Sequence, residues 1–166
     1  MRDGEPKRKA VRLPEYDYSS PGAYFVTICT QGRRRILSDV TVGAGALDGP
    51  RVVLTPIGEI VEKYVLSTKR IPGLHVDKYV IMPNHIHMML CITAESGPSR
   101  APAPTNALIP RAVASLKRFV NAELGEDIWQ RSYHEHVIRN EKDYREVWEY
   151  IDNNPARWAE DRYFAE

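Results

Sequence analysis

Apolar and polar positions alternate, cluster and break along this chain in a way that predicts most of its elements. Ala23-Tyr24-Phe25-Val26-Thr27-Ile28-Cys29-Thr30 is dense in aromatic and β-branched residues and predicts a central strand, broken by Gln31-Gly32. Between Leu37 and Pro50, the short runs Val40-Thr41-Val42 and Val52-Val53-Leu54 and several glycines predict a small hairpin or irregular insertion. A helix should start at Thr55, a suitable N-cap before Pro56, because Ile57, Ile60, Val61, Tyr64 and Val65 recur at helical spacing; Pro72-Gly73 stops it after about Arg70. His75 to Met82 and His85 to Ile92 read as two strands joined by a Pro83-Asn84 turn. A second helix covers Ala107 to Leu124, with Leu108, Val113, Leu116, Phe119 and Val120 on one side, and Gly125 closes it. A further strand is predicted over Ser132 to Ile138, and a last helix over Glu141 to Asn154, ended by Pro155 and followed by a short aromatic tail.

The order strand, helix, strand, strand, helix, strand, helix is the ferredoxin-like β-α-β-β-α-β pattern with one added C-terminal helix. The expected class is therefore α+β: an antiparallel sheet with helices on one face, the added helix carrying Tyr150. Residues 1–166 suit a single domain, with 1–22 as an extended polar arm and the Pro-, Ser- and Ala-rich residues 95–106 as a flexible loop.

Chemistry concentrates in Tyr79-Val80-Ile81-Met82-Pro83-Asn84-His85-Ile86-His87-Met88-Met89-Leu90-Cys91-Ile92. Side chains alternate faces along a strand, so His85 and His87 point one way and Ile86, Met88, Leu90 and Ile92 the other. Two imidazoles side by side can hold a metal ion if a third ligand arrives from elsewhere. On the last helix, at about 100° per residue, Tyr144, Trp148 and Ile151 form the core stripe with Val147 at its edge. Tyr150 falls off that stripe, and Asn154 lies one turn beyond it on nearly the same side. If this helix crosses near the histidine strand, Asn154 can give the third ligand and Tyr150 can stand beside the ion, poised to attack a phosphodiester that the cation polarises. Two neutral imidazoles and an amide suit loosely held Mg2+ or Mn2+ better than tight structural zinc. His134 and His136 form a second His-x-His, and spacing alone does not rank the two pairs.

Composition narrows the setting. A hydrophobic fraction of 43% and a charged fraction of 27% are those of an ordinary globular protein without membrane spans, and the charged N-terminus is unlike a signal peptide, so a cytoplasmic location is expected. Cys29 and Cys91 lack the paired spacing of a zinc site or disulfide framework and read as buried free thiols. A formal net charge of +1 excludes nucleic-acid binding by bulk electrostatics, leaving local clusters such as Lys7-Arg8-Lys9 with Arg12, and Arg33-Arg34-Arg35.

These residues also carry a family likeness. Tyr79 to Ile92, with its hydrophobic-His-hydrophobic-His core, resembles the HUH motif of single-tyrosine transposases, in particular the REP-associated tyrosine transposases related to small bacterial insertion-sequence transposases. Arg12-Leu13-Pro14-Glu15-Tyr16-Asp17-Tyr18 with Gly22 to Thr27 looks like the family's opening, and Ile128 to Asn140 with Glu149 to Pro155 like its closing block. The resemblance implies His85 and His87 as metal ligands, Tyr150 as nucleophile, and structural or DNA-adjacent roles for His134 and His136. Asn154 stands where related insertion-sequence enzymes often have glutamine. It implies a nucleoid-associated enzyme, monomer or homodimer, that cuts and rejoins single-stranded DNA at hairpin-forming palindromes through a 5'-phosphotyrosine. Arg12, Tyr16 and Tyr18 would then offer phosphate and stacking contacts to unpaired bases, and Arg33, Arg34 and Arg35 a grip on the backbone. The rival reading on the same fold is a non-catalytic DNA-binding or regulatory protein. An RNA-binding module would stack bases on exposed sheet aromatics, and His85, His87, Met89 and Cys91 are no such platform.

Overall fold

A computed structural model describes residues 22–41, 49–93 and 108–164. Its elements are β1 (Gly22–Cys29), β2 (Ser38–Thr41), β3 (Arg51–Leu54), α1 (Pro56–Ser67), β4 (Leu74–Met82), β5 (His85–Ile92), α2 (Leu108–Leu124), β6 (His134–Ile138) and α3 (Glu141–Asn153). One antiparallel sheet has the order β4-β5-β1-β6; β2 and β3 pair separately as the small hairpin expected from their valines. This is the ferredoxin-like arrangement, in which each of α1 and α2 connects two strands that are separated by one other strand. The predicted arm and the 95–106 loop lie outside the described residues, apart from Gly22, which opens β1. Among the described residues, no helix is long and apolar enough to cross a membrane.

β5 sits between β4 and β1 and is covered on both faces, which is why it reads as an almost unbroken apolar run. Ile86, Met88, Leu90 and Ile92 face α1 and α2 and join Tyr24, Val26 and Ile28 of β1 in the main core. The opposite face is capped by α3, whose Val147 and Ile151 close over Met89, with Phe25, Val80, Ile138 and Tyr144 around them. Two stripes differ from expectation. Val147, not Trp148, sits at the centre of α3's buried face; Trp148 is exposed and lies under the Lys78 ammonium, 4.4 Å from the ring centroid. On α2, Ile109 and Ala112 are buried beside Val113, Leu116 and Val120, while Phe119 is exposed and stacks on Tyr64 of α1. In both cases a large aromatic at the stripe's edge keeps one face in water, where a cation or a neighbouring ring covers it.

The β4–β5 register carries one irregularity. His75 pairs with Cys91 and Val76 with Leu90, but the next pair is Lys78 with Met89, so Asp77 is the extra residue of a β-bulge. At the start of α1, Thr55 Oγ1 accepts from the Gly58 amide and lies 2.6 Å and 3.0 Å from the carbonyl oxygens of Ile36 and Leu37. The helix terminus is thereby tied to the segment that leaves the sheet. That approach requires glycine: a Cβ at Gly58 would overlap the Leu37 carbonyl group. Gly58→Ala is expected to destabilise the fold by about 1–3 kcal/mol, read as a lower urea midpoint with an unchanged m-value.

Candidate functional site

The Pro83-Asn84 turn and the two central strands build the site. His85 and His87 are both 0% exposed, and their Nε2 atoms lie 3.0 Å apart. Each ring is held from behind. Asn84 Nδ2 donates to the Tyr163 carbonyl at 2.7 Å and to the Arg33 carbonyl at 3.4 Å, which leaves Asn84 Oδ1 to accept from His85 Nδ1 at 2.8 Å. The proton of His85 is therefore on Nδ1 and the Nε2 lone pair faces the site. His87 Nδ1 lies 2.8 Å from Thr27 Oγ1, directly across the β1–β5 ladder. A hydroxyl can donate or accept, so His87 can carry its proton on either nitrogen; with Nδ1–H donating to Thr27, both Nε2 lone pairs converge on one point. Burial drives both imidazoles well below their ordinary pKa, and the Asp161 carboxylate only partly opposes this at His85. Neutral imidazoles are the form that binds a metal ion.

Asn154, at the C-terminal end of α3, reaches the same place. It is 3% exposed, and its Nδ2 donates to Asp161 Oδ2 at 2.8 Å. Among the described residues, its buried Oδ1 has no hydrogen-bond partner. Asp161 adds a carboxylate: one oxygen and the nearest nitrogens of His85 and His87 all lie within 4.8 Å of one another. The donors available to an ion are therefore two imidazole nitrogens, an orphaned amide oxygen and a carboxylate, a set able to hold a divalent cation. Asp161 is a member that periodicity did not single out. It lies past the last helix, in a tail whose aromatic residues were the only signal of packing.

Tyr150 stands beside the pair within the same chain. Its ring centroid is 5.2 Å from that of His87 and 5.8 Å, edge-on, from that of Phe25. It is 39% exposed and borders a cleft of about 490 Å³ also lined by Glu146, Glu149, Arg157, Glu160 and Arg162. Partial burial, then the Asp161 carboxylate, hold its phenol above the usual range, with Arg162 opposing them. Tyr163, missed as a site residue, is buried with its ring 4.6 Å from that of His85, and its hydroxyl accepts from Arg162 Nη2 at 2.6 Å.

The other expected residues are distributed as follows. Arg33 donates to the Arg162 carbonyl at 3.2 Å and lies over the Tyr163 ring, Arg35 lies over Phe164 and Trp158, and Arg34 pairs loosely with Glu126 at 3.8 Å. Arg33 and Arg35 thus flank the tail that lines the site, whereas Arg34 points elsewhere. Arg12, Tyr16 and Tyr18 lie outside the described residues. His134 and His136 are exposed on the edge strand β6, and His136 Nε2 contacts both oxygens of Asp143 in the first turn of α3 at 2.9 Å. Of that second pair, His136 fastens a helix terminus; among the described residues neither histidine belongs to a cluster able to hold a metal.

No family model matches the sequence. The chain is 30% identical, over 96% of its own length and 94% of the relative's, to an uncharacterized protein of Haemophilus influenzae. It is 26% identical to the REP-associated tyrosine transposase of Escherichia coli K12, covering 84% of this chain and 70% of that one. Its fold matches a solved REP-associated tyrosine transposase bound to a REP hairpin with a TM-score of 0.59 and 21% identity, over 94% of this chain and 74% of the other. Because Asn84 sets the tautomer of His85 from behind, Asn84→Ala is expected to weaken Mn2+ binding by about 10–100-fold, measured by titration calorimetry.

Proposed function

We propose that the chain, which is similar in sequence and fold to REP-associated tyrosine transposases, nicks and rejoins single-stranded DNA at hairpin-forming palindromes, with Tyr150 as nucleophile. The observation that carries this reading is the meeting, in one chain, of the Tyr150 ring, the paired Nε2 atoms of His85 and His87, and the unpartnered Oδ1 of Asn154. A phenol at the edge of an open cleft and, beside it, two buried imidazole lone pairs and an orphaned acceptor are the parts that cation-assisted phosphoryl transfer needs.

Tyr150 Oη attacks the phosphorus of the scissile phosphodiester. The phenol loses its proton, the new bond to phosphorus forms, and the bond to the 3' oxygen breaks, leaving a 5'-phosphotyrosine and a free 3'-hydroxyl. Rejoining is the same exchange with a 3'-hydroxyl as attacking group. His85, His87 and Asn154, with Asp161 within reach, would hold a Mg2+ or Mn2+ ion, which would supply charge stabilisation to the reacting phosphate. The protein's own charge explains why a cation is needed. The cleft presents Glu146, Glu149, Glu160 and Asp161 against only Arg157 and Arg162, an acidic excess that repels a bare phosphodiester. Phe25 and His87 keep the Tyr150 ring oriented, so attack does not require ordering a free side chain.

The arginines beside the tail, Arg33 and Arg35, would guide the strand's backbone, together with Arg34 on the same segment. Arg12, Tyr16 and Tyr18 would take unpaired bases next to the hairpin. The partner is thus hairpin or single-stranded DNA.

The test is incubation of the full chain with a hairpin-bearing single-stranded oligonucleotide and Mn2+, followed by denaturing electrophoresis. A covalent protein–DNA adduct is expected from the wild type and from Tyr163→Phe, and a yield at least about 10³-fold lower from Tyr150→Phe. An adduct that survives Tyr150→Phe and disappears with Tyr163→Phe or Tyr144→Phe overturns the nucleophile assignment. Binding without any adduct, across a panel of palindromes, would instead identify a non-catalytic DNA-binding protein.

A further inference from the structure

At the far end of β5 from the site just described, three different metal-binding side chains converge: His75 and Asp77 of β4 and Cys91 of β5. Asp77 Oδ1 lies 2.8 Å from His75 Nε2, and Asp77 Oδ2 accepts from Cys91 Sγ at 3.0 Å and from the Tyr144 hydroxyl of α3 at 2.7 Å. One donor atom from each of His75, Asp77 and Cys91 lies within 4.8 Å of the other two.

The backbone explains the convergence. His75 and Cys91 are directly paired across the ladder, so both project on the α3 face of the sheet. The bulge at Asp77 shifts the alternation by one residue, so that Asp77 and its neighbour Lys78 both serve that face. Without the bulge, the strand could not keep Val76 opposite Leu90 and also Lys78 opposite Met89. The extra residue of the strand is thus the one that brings a carboxylate between an imidazole and a thiol.

We propose that His75, Asp77 and Cys91 form a second metal site, for a borderline cation of the zinc class, that pins the start of α3 to the edge of the sheet through Tyr144. Tetrahedral zinc bonds of about 2.0–2.3 Å place donor atoms about 3.3–3.8 Å apart. The two contacts of Asp77, at 2.8 and 3.0 Å, are slightly shorter than this, so a small side-chain adjustment closes the site. The thiol selects against Mg2+ and Mn2+, which prefer oxygen, and so separates this site chemically from the His85/His87 pair. Binding exchanges the Cys91 thiol proton, released to solvent, for a sulfur–metal bond; His75 binds as the neutral ring and Asp77 as the carboxylate. Burial and then the Asp77 carboxylate push the free thiol up to about 12, so the metal must displace a firmly held proton. His75 has its side chain 47% exposed and gives the ion a way in, while solvent completes the coordination.

The test uses Co2+ as a spectroscopic probe on the full chain, kept reduced with a phosphine that does not bind metal. A thiolate-to-cobalt charge-transfer band is expected in the near ultraviolet, displaced by one equivalent of Zn2+. It should vanish in Cys91→Ser and persist in Cys29→Ser and His87→Ala, because Co2+ at the histidine pair has no sulfur ligand. His75→Ala, a change at a half-exposed side chain that leaves folding intact, should weaken Co2+ binding at least about tenfold. Absence of the band in the wild type, its survival in Cys91→Ser, or an unchanged affinity in His75→Ala overturns the proposal.

Discussion

The run of contacts from Asn84 through His85 and His87 to Thr27 is the constraint on which the rest of the site depends. Two imidazoles with no solvent exposure would repel if both were charged, and burial keeps both neutral. Asn84 commits the proton of one ring and Thr27 leaves the proton of the other free to choose a nitrogen. The same Asn84 amide also holds the tail by the Tyr163 carbonyl. A two-residue turn thereby links the sheet, the histidine pair and the C-terminal tail, and the tail joins α3 in lining the cleft beside them.

α3 is the second requirement. α1 and α2 build an ordinary core on one face of the sheet, and among the described residues α3 and the tail after it cover the other. Its buried contribution is small, Val147 and Ile151, supplemented by polar and aromatic fastenings at its edges. Lys78 contacts Asp152 and covers Trp148, Tyr144 meets Asp77, and Asp143 meets His136. A helix attached by so little apolar area relies on such points to stay in register with the histidines beneath it. A metal ion at His75, Asp77 and Cys91 would act on one of them, about one and a half turns before Tyr150.

The fold was legible because its signals were strong and local. The Thr55 cap, the paired strands around Pro83-Asn84 and the apolar run of β5 are written in consecutive residues, and the element order then leaves few sheet topologies to choose from. Periodicity also put Tyr150 and Asn154 on one side of their helix. It erred on Trp148 and Phe119 because a hydrophobic aromatic at the edge of a stripe looks like core until its neighbours are known. Asp161 and Tyr163 carry no periodic signal, because they belong to an irregular tail placed only by its contacts with Asn84, Asn154 and the histidine rings.

The sequence by itself determined the His-x-His alternation and the helix that carries tyrosine and amide. Tertiary structure decided which donors meet. It left His134 and His136 at an exposed edge and turned an amide oxygen of Asn154 into a buried acceptor without a donor. It also brought a carboxylate from beyond the last helix to the imidazoles and, through one inserted residue, set Asp77 between His75 and Cys91. The physical reason is the same in each case: alternation and helical periodicity specify the direction of a side chain within its own element, whereas a site is a coincidence of directions from several elements, set by register, bulges and packing.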